Sequence, residues 1–126
     1  MIAFDTNYLV RHIVQDDPAQ CRVVSSTIET ETAAERSIRI FDLVLLETAW
    51  VLQAVYAFDH EALWHVLNEI AGDSAFSFDD PIRLRSALAK YRRGTAEFAD
   101  CLISIAAKEE GLELKTFDKP LRKEIP

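Results

Sequence analysis

The sequence predicts an α/β fold, a three-layer α/β/α sandwich around a mainly parallel sheet. Short β-branched or aromatic runs at Ile2–Phe4, Ser37–Phe41, Ala75–Phe78 and Leu112–Phe117 alternate with longer helical stretches. Apolar runs stop abruptly on polar residues, at Asp5 and again at Asp118. No repeat, linker or low-complexity tract interrupts the 126 residues, so a single domain over 1–126 is expected.

The elements follow in order. Ile2–Phe4 reads as a short buried strand, and Asp5-Thr6-Asn7 offers cap-forming side chains to a following helix. Pro18 suits the first turn of a helix through Ile28. Ser37–Phe41 alternates and is β-branched, which predicts a second strand. Two helices are expected over Leu43–Ala57 and His60–Ala71, with Gly72 ending the second. Ala75–Phe78 is read as a short strand and Ile82–Arg92 as a helix after Pro81, broken by Gly94. Phe98, Leu102, Ile105 and Ala106 share one face of a helix over Phe98–Glu110, which Gly111 stops. Leu112–Phe117 is the last predicted strand.

Composition narrows the function. Hydrophobic residues make up 49% and charged residues 28%, the balance of a folded soluble domain. A net charge of −7 argues against clamping nucleic acid by an overall positive field, leaving a local basic rim or an acidic pocket that collects cations. Cys21 and Cys101 form no disulfide framework, and a reducing cytoplasm is the simpler setting. No signal peptide opens the chain, and its most apolar stretch, Leu43–Ala57, is short and interrupted by Glu47, so no membrane association is expected.

Four carboxylates stand out by position. Asp5 and Asp118 follow apolar strands at their carboxyl ends, the edge where parallel α/β sheets bind ligands. Glu47 is the only charge between Leu43 and Ala57, and its apolar helical neighbours predict a buried face needing a cation, a donor or water. Asp100 falls in the first turn of a helix, with Glu97 three residues earlier on nearly the same side. Each acid also has a plain structural reading: a helix cap for Asp5, a dipole partner for Asp100, a turn residue for Asp118. If the strands adjoin, however, the acids converge, and crowded carboxylates repel unless a cation sits among them. Hard oxygen donors of this kind suit Mg²⁺ or Mn²⁺.

The ordered set of Asp5-Thr6-Asn7, Glu47 in "LLETAWVL", Asp100 in "EFADCLIS" and Asp118 in "LKTFDK", with the "DDPAQ" step at Asp16–Gln20, resembles the PIN-domain nucleases. More narrowly, it resembles the VapC-type toxins of bacterial toxin–antitoxin pairs. The resemblance covers essentially the whole chain. It implies a PIN-like fold, Mg²⁺- or Mn²⁺-dependent endoribonuclease activity and phosphodiester hydrolysis leaving a 5′-phosphate. On it, Asp5, Glu47, Asp100 and Asp118 match the catalytic acidic quartet, with Asp5, Asp100 and Asp118 as metal ligands. Thr6, Asn7 and Thr116 match the flanking polar residues, and Glu97 a frequent further acid. It also implies a homodimer held inactive by a VapB-like or related antitoxin whose C-terminal segment lies in a hydrophobic groove.

RNA needs positive charge near such an acidic site. Lys90, Arg92 and Arg93, then Lys119 with Arg122 and Lys123, are the dense basic groups, and Arg11 lies one turn beyond Tyr8. Solvated helix ends explain them equally well. Trp50, Tyr56, Trp64 and Leu67 are read mainly as core, with a groove or dimer surface as the alternative. His12, His60 and His65 are assigned to surface or packing roles.

Rival classes meet specific obstacles. A receiver-like Mg²⁺-binding signalling domain needs adjacent acids after the first strand, where this chain has Asp5-Thr6-Asn7. A phosphatase with an Asp nucleophile needs an acid two residues further on, where Asn7 stands. A catalytically silent binding module of the same fold remains as the alternative, and the presence of all four acids speaks against it.

Overall fold

A computed structural model describes residues 1–124, with side chains described through Leu121; those of Arg122 and Lys123 lie outside the described set. Three short strands, β1 (Ile2–Ala3), β2 (Ile38–Ile40) and β3 (Phe76–Phe78), form a parallel sheet in the order β1-β2-β3. Ile2 stands opposite Ile38, and Ile38 opposite Phe76. Parallel neighbours require long crossovers, and each is helical here. The first contains α1 (Thr6–Ile13) and α2 (Pro18–Ala33), the second α3 (Asp42–Ala54) and α4 (His60–Gly72). Three helices follow β3: α5 (Pro81–Arg93), α6 (Phe98–Glu109) and the short α7 (Lys119–Glu124).

The expected α/β architecture is present, and the helix starts follow the chemistry the sequence displays. Asp5, Asp17, Asp59 and Asp80 each accept a backbone N–H bond as an N-cap, and proline opens α2 and α5. The buried β2 and β3 side chains, Ile38, Ile40, Phe76 and Phe78, join Leu9, Leu45, Leu52, Leu63, Leu67, Leu84 and Phe98 in one core cluster. Each such side chain removed from water contributes about 1.5–3 kcal/mol before entropy is counted.

The predicted strand at Leu112–Phe117 does not form among the described residues. Its side chains still alternate, with Leu114, Thr116 and Asp118 half-buried and Glu113, Lys115 and Phe117 exposed. Phe117 is 97% exposed and only Leu114 packs on the core. The inward face therefore recovers little apolar burial, which is what pays for ordering a strand. α2 runs five residues past its predicted end; Glu31 lies there, bonded by Arg36 Nε at 2.6 Å. α3 stops three residues early, before Ala57 takes a left-handed φ of 57°.

Parallel strands send all their carboxyl ends to one edge. The chain leaves that edge at Phe4-Asp5 from β1, at Phe41-Asp42 from β2 and at Asp79-Asp80 from β3. Phe4 N–H still donates to Arg39 C=O at 3.1 Å, so the ends of β1 and β2 are adjacent.

Candidate active site

Asp5 lies where β1 hands over to α1. One carboxylate oxygen, Oδ1, accepts from Tyr8 N–H at 2.9 Å and caps the helix. Asp118 repeats the arrangement before α7: its Oδ1 accepts from Leu121 N–H at 3.1 Å, and its own N–H donates to Thr116 Oγ1 at 3.0 Å. The capping reading and the ligand reading are therefore compatible, because each cap uses one of two oxygens.

Thr6, next to Asp5, donates its hydroxyl to Glu47 Oε1 on α3. That short bond joins the strand-end acid and the α3 acid on the same rim. The expected burial of Glu47 is corrected here: Glu47 is exposed, and its apolar helical neighbours split between the core (Leu45, Ala49) and the surface (Leu43, Trp50). A helix this apolar buries one stripe and leaves the remainder in water.

The other acids gather on α6 and the segment before α7. Asp100 sits in the first turn of α6, where the N-cap Glu97 makes no side-chain cap bond. The N-terminal dipole favours its negative charge. Burial nonetheless raises the Asp100 pKa above the ordinary carboxylate range, and the like charges of Asp118 and Glu97 raise it further. Tyr91, packed against Phe98 and 1% exposed, has its phenol pushed up to about 12 by burial and then by Glu97. The structure thus brings together Thr6 with Glu47, and Asp100 with Asp118 and Glu97. A cavity of about 550 Å³ between α3 and α6 is lined by Leu46, Ala49, Trp50 and Gln53 on one side and by Glu97, Phe98 and Asp100 on the other.

Among the described residues, no three His, Cys, Asp or Glu side chains already form a metal-ligating cluster. The donor chemistry still fits a hard divalent cation: the four candidate ligands are carboxylates, and Asp100 carries like-charge repulsion that a cation relieves.

The basic candidates are placed unevenly. Arg11 is committed to an ion pair with Asp16 and to Tyr56 Oη at 2.6 Å, though it lines a cavity of about 480 Å³ between α1 and α2 that also includes Asp5 and Asn7. Arg92 lies over the Trp64 ring at 4.0 Å, and Arg93 is exposed; both end α5 just ahead of the turn into Glu97. Lys90 is half-buried, and Lys119 is exposed beside Asp118. Trp50, assigned mainly to the core, is 66% exposed; Tyr56 and Trp64 are half-buried and Leu67 is buried. No sequence signal marked Trp50 as exposed, because α3 is apolar nearly all round. A second acidic group, Asp42 and Asp79, was not singled out. Asp79 accepts from Asp42 N–H at 2.9 Å and is held by Arg39, so it serves to start α3. The histidines keep packing and surface roles, His12 edge-on to Phe76 and His60 against Tyr91.

The parallel α/β fold agrees with family comparison: the PIN-domain family profile matches residues 2–123, and the chain belongs to that family. One relative is a VapC ribonuclease of Aquifex aeolicus (strain VF5), 26% identical over 96 residues that cover 74% of this chain and 71% of the relative. No solved structure matches the chain significantly. No helix among the described residues is long and apolar enough to cross a membrane.

Proposed function

We propose that this protein is a metal-dependent endoribonuclease, a VapC-like toxin that hydrolyses RNA phosphodiester bonds. The observation that carries the reading is the crowding of Asp100 with Asp118 and Glu97, on a helix that faces the α3 bearing Glu47. Asp5, Asp100 and Asp118 would hold Mg²⁺ or Mn²⁺, with Glu47 completing the set. Bound there, the cation supplies Lewis acidity toward water and phosphate.

The chain's own residues do the positioning. Asp5 and Asp118 are fixed by their caps, each with a second oxygen directed by that anchoring. Thr6 donates to Glu47, which would complete the shell or orient the attacking water. Thr116 steadies the backbone of Asp118, and Asn7 borders the same rim. Glu97 keeps the field at Asp100 negative. The exposed Arg92, Arg93 and Lys119, with Lys90 and Arg11, are the candidates for RNA phosphate contacts. The same reading includes a homodimer, a VapB-like antitoxin and a cytoplasmic setting.

The test is cleavage of total RNA by purified protein with Mg²⁺ or Mn²⁺, beside Asp5→Asn and a chelator control. Asparagine keeps the α1 cap, so the variant is expected to fold and not to cut. Equal cutting by both proteins, or none by the wild type under any metal, overturns the reading.

A further inference from the structure

The cavity between α3 and α6 has an unusual composition for the rim of an acidic site. One end is Asp100 and Glu97; the other is an apolar shelf of Leu46, Ala49 and Trp50, with Gln53 as its polar side chain. Trp50 is 66% exposed, in a protein whose other tryptophan is half-buried and covered by Arg92. Leaving so large an apolar ring in water is unfavourable unless something covers it.

We propose that Trp50 is a base platform: a nucleobase next to the scissile phosphate stacks on its indole, and the Gln53 amide reads that base's edge. This rests on the ribonuclease reading and names how that same site selects its substrate. Three observations favour a base as the occupant. The cavity runs without interruption from the shelf to Asp100, so a nucleotide with its phosphate at the acids places its base over Trp50. The lining side chains Trp50 and Gln53 supply a flat apolar face and an amide, the groups that take a base's face and its edge. A base brings a neutral face and, in adenine or cytosine, an amine that donates to acceptors such as Glu97 and Asp100. Stacking also needs no positive charge from the protein, and Gln53 has both donor and acceptor to offer, the pattern that pairs with adenine.

The experiment separates this from the activity itself. Binding of a fluorescein-labelled six-nucleotide RNA is read by anisotropy in the Asp5→Asn background, and cleavage of the same RNA in the Asp5 protein. Trp50→Ala is expected to weaken binding and raise KM about tenfold, Trp50→Phe to restore most of it, and Gln53→Leu to flatten base preference at one position while leaving kcat on the best substrate within about threefold. Wild-type affinity, KM and base profile in Trp50→Ala overturn the proposal while the ribonuclease reading stands. Trp50-dependent binding by a protein that never cuts sustains the platform and removes the ribonuclease reading. Sedimentation supplies the last arm: if Trp50→Ala converts a dimer to a monomer with RNA affinity unchanged, the shelf belongs to a second copy and the proposal fails.

Discussion

Glu47 receives a hydrogen bond from the Thr6 hydroxyl, whereas Asp100 faces the like charges of Asp118 and Glu97 and a raised pKa. The amino-terminal half of the candidate site is thus held by a hydrogen-bond donor. The carboxy-terminal half is held by packing: Phe98 is 1% exposed, Cys101 is 1% exposed, and these neighbours fix Asp100 where its charge is unfavourable. Groups kept against electrostatic cost mark functional sites more often than groups that are satisfied. The comparison says that a cation is needed most at the α6 half.

The largest expected effect tests that half. Asp100→Asn should lower RNA cleavage by at least about a hundredfold, since a ligand is lost where even supporting residues are worth about 10–100-fold. Metal-dependent thermal stabilisation, measured by a melting scan with and without Mg²⁺, should be lost with it. Survival of either property would move the cation to the Asp5–Glu47 half.

Thr6→Val tests the other half. Removing the hydroxyl leaves Glu47 without its donor, and activity should fall by roughly tenfold or more, with Thr6→Ser restoring it. A variant with normal turnover would mean that Glu47 needs no orientation.

Stability against pH sharpens the contrast further. An acid whose folded pKa is raised binds its proton more tightly when folded, so its favourable contribution is present at low pH. It is lost as pH rises through the raised Asp100 value. Metal-free Asp100→Asn should therefore melt higher than wild type at neutral pH, and the gap should close on acidification toward the ordinary value of 3.8. A gap that widens in acid reverses the assignment.

The smallest effect concerns Tyr91, whose ring packs against Phe98 of α6. The Tyr91 hydroxyl is buried with no hydrogen-bond partner among the described residues. Tyr91→Phe removes an unsatisfied group without leaving a cavity, and chemical denaturation should change by less than about 1 kcal/mol, toward greater stability. A loss beyond that would reveal a partner, bound water included, that the phenol depends on.

Much of the fold was legible because local chemistry agreed with it. The prolines at the starts of α2 and α5, the cap at Asp5 and the stop at Gly111 all fell where the sequence placed them. The acids at positions 5 and 118 were legible because a carboxylate ending an apolar run is locally costly. The α3 surface was misread. Its side chains are apolar nearly all round, so no periodicity told which stripe of Glu47, Trp50 and Leu43 would face water. The Leu112–Phe117 segment was misread for the complementary reason: alternation is a local property, but a strand needs a neighbour's ladder and an inward face worth burying.

The sequence by itself determined the three strands of the sheet and the helices between them, the cap at Asp5 and the chain order of the four acids, while the strand it also predicted at Leu112–Phe117 did not form. Periodicity and capping depend only on near neighbours, so they are written along the chain. Tertiary structure alone decided that Thr6 reaches Glu47, that Asp118 and Glu97 crowd Asp100, and that Trp50 opens onto the same cavity. Those contacts depend on how α3 and α6 pack across the sheet edge. Packing is set by the shape and burial of many residues together, and no single stretch of sequence encodes it.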